Sequence, residues 1–109
     1  MAQLFDRAHF NMMTGDDAAL QTEIVGLFRE QVAKWAPLLI AETPAQECKD
    51  VAHTLKGSAR GLGLWRLAEA CAHAETVIGS AYAKAALTLV QCELRDALGA
   101  LDSAIAKAA

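Results

Sequence analysis

Proline occurs twice in 109 residues, glycine seven times, and aromatic residues make up 6% of the chain. So little punctuation excludes a loop-rich or disordered chain. Scarce β-branched residues beside abundant alanine disfavour a sheet protein and favour a helical one. Positive charge is not in excess: 10 Lys and Arg face 13 Asp and Glu, for a formal net charge of -3. That balance argues against nucleic acid as a partner. No apolar run reaches the roughly 18 residues of a membrane span, and the Met1–Arg7 start has an early acid and no signal-peptide core. Cys48, Cys71 and Cys92 are odd in number and widely spaced, and they form no C-x-x-C. They read as three reduced thiols in a cytoplasmic protein, not a disulfide frame.

What the chain does have is 54% hydrophobic residues. That is enough for a core, and the length fits one domain over 1–109. Met1 close to the first helix fits a free-standing protein. Helical spacing places a short first helix over about Leu4–Met13, with Leu4, Phe5, Ala8 and Met12 on one side. Gly15 should end it in a left-handed cap, and Asp16 should cap the next helix with Asp17 in its first turn. The second helix spans about Asp17–Glu42 with a stripe of Leu20, Ile24, Leu27, Gln31, Trp35 and Leu38, and Pro37 should kink or break it. Thr43 as cap, Pro44 in the first helical position and Gln46 as the reciprocal partner start a third helix that runs to about Arg60. Gly61-Leu62-Gly63 should end it. A fourth helix over about Leu64–Ile78 carries Leu64, Leu67, Ala68, Cys71 and Ile78 inward, and a fifth over about Ala81–Ala106 carries Leu87, Val90, Leu94, Leu98, Leu101 and Ile105. Short connections between amphipathic helices predict an all-α, antiparallel up-down four-helix bundle with the short N-terminal helix across one end.

The third helix holds the candidate chemistry. Cys48, Val51, Ala52, Leu55, Ala59 and Leu62 form its core stripe, while His53, Gly57 and Arg60 point the opposite way with Lys49 and Lys56 beside them. A glycine inside a helix costs ~1 kcal/mol relative to alanine. Gly57, one turn after His53, is either a tolerated residue or a bare patch that lets another surface come close. A neutral imidazole nitrogen is a competent nucleophile, and Lys56 could place an ammonium near an anion on His53. Mixed charge around a stray surface histidine is the plainer alternative. Trp35 and Trp65 read as packing residues. Cys71, His73 and His9 do not read as a metal site, because positions 71 and 73 point apart on a helix.

The string Ala52-His53-Thr54-Leu55-Lys56-Gly57-Ser58-Ala59, followed by Leu62-Gly63, Leu67, Cys71 and Glu75, resembles the signature of histidine-containing phosphotransfer (HPt) domains. With Gly15-Asp16-Asp17, Leu20 and Leu27-Phe28, the resemblance spans about Gly15 to Ile78. It implies a phosphorelay carrier of two-component signalling without kinase activity of its own. By position, His53 is the phospho-acceptor, Lys56 helps hold the phosphoryl oxygens and Gly57 keeps the approach open. Arg60 and Lys49 extend a basic rim, and Ser58 fits the motif without an assigned role. Glu75 falls on an apolar stripe, where it either orients the imidazole by accepting its N–H or sends its head to water at the rim. The implied partners are response-regulator receiver domains and a hybrid histidine kinase, met by a monomer with no cofactor of its own; the divalent metal belongs to the receiver. Met12, Met13 and Leu20 are docking candidates. Two other readings stay open: a helical adaptor without chemistry, and an acceptor served directly by a histidine-kinase domain.

Overall fold

The structure, a computed structural model, describes residues 2–108. Five α-helices, and no strand among the described residues, follow one another as α1 (Arg7–Thr14), α2 (Ala18–Trp35), α3 (Ala45–Leu62), α4 (Trp65–Val77) and α5 (Ala83–Ala108). Helices α2 to α5 make the antiparallel up-down bundle expected from the stripes, and the short α1 packs across its end against α3. The core stripes of α3, α4 and α5 fall where the spacing put them: Leu55, Leu67, Cys71, Val90 and Leu101 are among the fully buried residues.

The second helix differs from expectation in its register. Its buried face is Gln21, Val25, Phe28 and Val32, whereas Leu20 and Leu27 are exposed and Ile24 and Trp35 only pack against the edge. The chain had two apolar stripes available there, and tertiary packing chose the one that places Phe28 in the core. Pro37 does break the helix: α2 stops at Trp35 and a single 3-10 turn covers Ala36–Leu38. The carbonyls released at the break accept from Gln91 Nε2 of α5, Ala36 O at 2.9 Å and Leu39 O at 3.2 Å.

Helix ends also shift by a residue or more. Helix α1 starts at Arg7, not Leu4, with Asp6 accepting from the His9 N–H, and it buries Phe10 and Thr14 while Ala8 and Met12 face out. Gly15 ends α1 in the left-handed region as expected, but Asp16 follows it there with φ +59°, so the cap of α2 passes to Asp17, which accepts from Leu20 N–H. Pro44 sits just ahead of α3 with no side-chain cap, and Gln46 donates to Asp50 instead of closing a capping box.

Helix α3 runs on through Gly61 to Leu62 and is stopped by Gly63 at φ +78°. Leu64 N–H and Gly63 N–H return to Ala59 O (2.8 Å) and Arg60 O (3.2 Å), so the helix closes and reverses within two residues. The same Gly63 accepts from Asp6 N–H at 2.8 Å, which pins the start of α1 to the α3–α4 corner. A Cβ at Gly63 would lie 2.9 Å from Asp6 O, whereas one at Gly61 would meet nothing within 4 Å. Gly63→Ala is therefore expected to destabilise by more than ~1 kcal/mol, and Gly61→Ala to stabilise by about 0.4–1 kcal/mol, in paired urea denaturation curves.

Candidate functional site

Position 53 lies on the outer face of α3, opposite Ala52, Leu55 and Ala59, which are fully buried. The His53 side chain is 70% exposed. Its Nδ1 lies 3.2 Å from Oε2 of Glu75, which reaches across from α4. Oε1 of the same carboxylate lies 2.7 Å from Nζ of Lys56, one turn after His53. Glu75 thus reaches the ring instead of sending its head to water, and joins His53 and Lys56 in one three-residue cluster.

The charge state of the cluster follows from its surroundings. Burial raises the Glu75 carboxyl, but the contact with Lys56 and then that with His53 outweigh it and hold the group below the ordinary carboxylate range. An ionised carboxylate can only accept, so the ring presents an N–H to it at Nδ1. Nε2 is the ring nitrogen turned away from Glu75 and available to a partner. Because the folded pKa of Glu75 is lowered, the stability it contributes is complete above its unfolded pKa and is lost as pH falls through the folded one.

The lysine is not free at the rim. Lys56 is only 16% exposed and is engaged by Glu75, so the basic rim read from the sequence is weaker than expected. Lys49 is half-buried one turn before His53, and Arg60 is exposed and lines a shallow hollow with Trp65 and Glu69. Neither makes an ion pair with His53 or Glu75 among the described residues. Trp65 does more than pack: its Nε1–H donates to Asp6 Oδ2 at 3.0 Å, and its ring meets that of His9. Among the described residues no three His, Cys, Asp or Glu side chains gather into a group able to hold a metal ion, and no helix is long and apolar enough to cross a membrane.

Beside the imidazole, the surface of α3 is bare. A Cβ at Gly57 or at Gly61 would meet nothing within 4 Å, so the packing of the chain requires neither glycine. Gly61 had been expected to end the helix; it continues the open strip that starts at Gly57. The strip leads into an apolar groove of about 360 Å³ with Met13 on α1, Ile24, Leu27 and Gln31 on α2, and Ser58 and Leu62 on α3. Met12 is 70% exposed, and Met13, Leu20 and Leu27 are exposed as well. Met12, Met13 and Leu20 were docking candidates that could equally have been core, and the spacing put Leu20 and Leu27 on one inner stripe; the rotated register of α2 is what brings both out.

Removal of the carboxylate should leave the imidazole free to exchange its proton between nitrogens. In nitrogen-resolved NMR of unphosphorylated protein near neutral pH, we expect His53 to hold the Nδ1–H form in the wild type and to shift toward Nε2–H in Glu75→Ala. A family model described as Hpt domain matches residues 19–104. Neither the curated proteins nor the solved structures offer a match to the chain. With most of its length matched, and with an outward imidazole in the middle of α3, the chain belongs to the Hpt domain family, the histidine phosphotransfer modules of two-component signalling.

Proposed function

We propose that this chain is a phosphorelay intermediate: His53 takes a phosphoryl group from the aspartyl phosphate of one receiver domain and passes it to the aspartate of another. The observation that carries this reading is the His53 ring, exposed and fixed by Glu75 with Nε2 outward, beside the uncovered Gly57 and Gly61. In the forward step the Nε2 lone pair attacks phosphorus, the bond to the aspartyl oxygen breaks, and the aspartate leaves as a carboxylate. The proton on Nδ1 stays shared with Glu75, whose negative charge offsets the positive charge that develops on the phosphorylated ring. Transfer onward reverses these bond changes.

Such a step needs alignment and charge stabilisation more than covalent work by the protein. Lys56 supplies one cation, able to divide its ammonium between Glu75 and a phosphoryl oxygen, while Arg60 and Lys49 add a more distant positive field. The divalent metal and the acidic pocket come from the receiver, and the chain has no kinase activity of its own. The groove between α1, α2 and α3 takes an apolar face of the receiver, because it opens from the strip that adjoins His53. A modest interface of this kind suits brief docking. The reading places a monomer in the cytoplasm.

Incubation with phosphorylated receivers, and separately with histidine-kinase catalytic domains, tests the reading. We expect acid-labile, base-stable phosphate on the wild type from receivers and none on His53→Gln. Label on neither protein would favour a docking adaptor; label from kinase domains alone would favour a directly served acceptor. Gly57→Gln should keep the fold by circular dichroism and slow transfer by ~10-fold or more, since a 1 Å misplacement of reacting groups can cost 10²-fold.

A further inference from the structure

Gln21 is a polar residue in the middle of an apolar stripe. It is 4% exposed and sits one turn before Val25 on the buried face of α2. A leucine there would bury more apolar area, and a buried amide costs free energy unless it is hydrogen-bonded. Here the amide is bonded: Gln21 Nε2 donates to Asn11 Oδ1 at 3.0 Å and to Thr14 Oγ1 at 2.9 Å, both on α1. Thr14 in turn donates to Phe10 O at 2.9 Å, and Arg7 donates to Asn11 Oδ1 at 3.0 Å and to Ala104 O of α5 at 3.2 Å. The amide thus ties α1 to α2, while Arg7 ties it to the far end of α5.

Helix α1 is the element that most needs such a tie. It has eight residues, and apart from Phe10 and Thr14 it buries little. Apolar contacts alone would leave its rotation and slide poorly fixed, whereas directional bonds specify one arrangement. The consequence reaches the groove, because Phe10, Met13 and Thr14 of α1 form one wall of it.

We propose that Gln21 is a positioning residue for receiver docking: by holding Asn11 and Thr14 it sets the α1 wall of the groove and so the affinity for the receiver. The inference rests on the relay reading and acts through α1, not on His53. An apolar side chain at position 21 strands no buried donor on α1, because Arg7 still serves Asn11 and the Thr14 hydroxyl still donates to Phe10 O.

The test uses the full chain and, as probe, the phosphorylated receiver domain that transfers fastest to the wild type. We expect Gln21→Leu to raise KM for that receiver by ~5-fold or more while kcat stays within about twofold. Met13→Ala, on the exposed wall itself, should raise KM similarly. The double variant should cost much less than the product of the two, because both act on one wall. An unchanged KM in Gln21→Leu, or fully multiplicative effects, would overturn the proposal. Should Gln21→Leu fail to fold by circular dichroism, Thr14→Val, which removes one of the two acceptors, carries the same expectations. Labelling of the wild type by phosphoramidate, a small donor that needs no docking, reads His53 separately. No label there or from any receiver defeats the relay reading; label with an unmoved KM in the variant defeats only the role of Gln21.

Discussion

The contact between His53 and Glu75 joins two helices, so its 3.2 Å length is set by how closely α3 and α4 approach. That approach is a property of small buried side chains. Ala52 and Ala59 on α3, and Ala68, Cys71 and Ala74 on α4, are all buried at the centre of the bundle. Interaxial distance follows the size of the residues at the contact, and a bulkier residue on this seam would push the axes apart. A hydrogen bond does not survive an ångström of such movement. The reversal at Gly63 and Leu64 fixes the register along the seam, which places position 75 beside position 53. The geometry of the exposed site is thus decided inside the core.

From that seam the chemistry follows in order. Burial alone would tend to neutralise the Glu75 carboxyl, and Lys56 prevents it. The ionised carboxylate accepts from Nδ1, which turns the other ring nitrogen of His53 outward. The same environment silences a competitor. Cys71, one turn before Glu75, has its thiol pushed up to about 12, first by burial and then by the charge of Glu75. It stays protonated and unreactive at neutral pH. One carboxylate thereby favours an imidazole on the surface and disfavours a thiol in the core.

Much of this was readable in the chain, and the failures share a cause. The stripes of α3, α4 and α5 each had one apolar face, so periodicity fixed them. Helix α2 had two, Leu20-Ile24-Leu27 and Val25-Phe28-Val32, and nothing local separates them; the choice depends on what α1 and α5 present. Gly61 and Gly63 are two residues apart, and only the return of the backbone past Asp6 shows which one must be glycine. The pairing of Glu75 with His53 was visible as an alternative because the carboxylate broke an apolar stripe. The engagement of Lys56 was not, since spacing says that residues 53 and 56 share a side of the helix but not which neighbour claims the ammonium. Gln21 gave a signal that went unused: a polar residue one turn before Val25 fits the correct stripe only if its amide has partners.

The exposed side of the molecule carries a cost that the core must offset. Gly57 and Gly61 each forgo about 1 kcal/mol of helix stability relative to alanine. Domains of this size are stable by only about 5–15 kcal/mol, so two such positions are a considerable fraction. Internal packing needs neither, and the exposed Met13 and Leu27, which line one groove with Gly61, bury little in the isolated chain. The cost is confined to one flank. Helix α3 packs extensively on α4, the seam that holds the imidazole and its carboxylate, and only lightly on α2, where the groove opens. The closely packed pair can keep the His53 ring in one orientation while the looser flank leaves the groove open. The imidazole with its carboxylate and the apolar groove then adjoin along one helix, and α3 is the element that contributes to both.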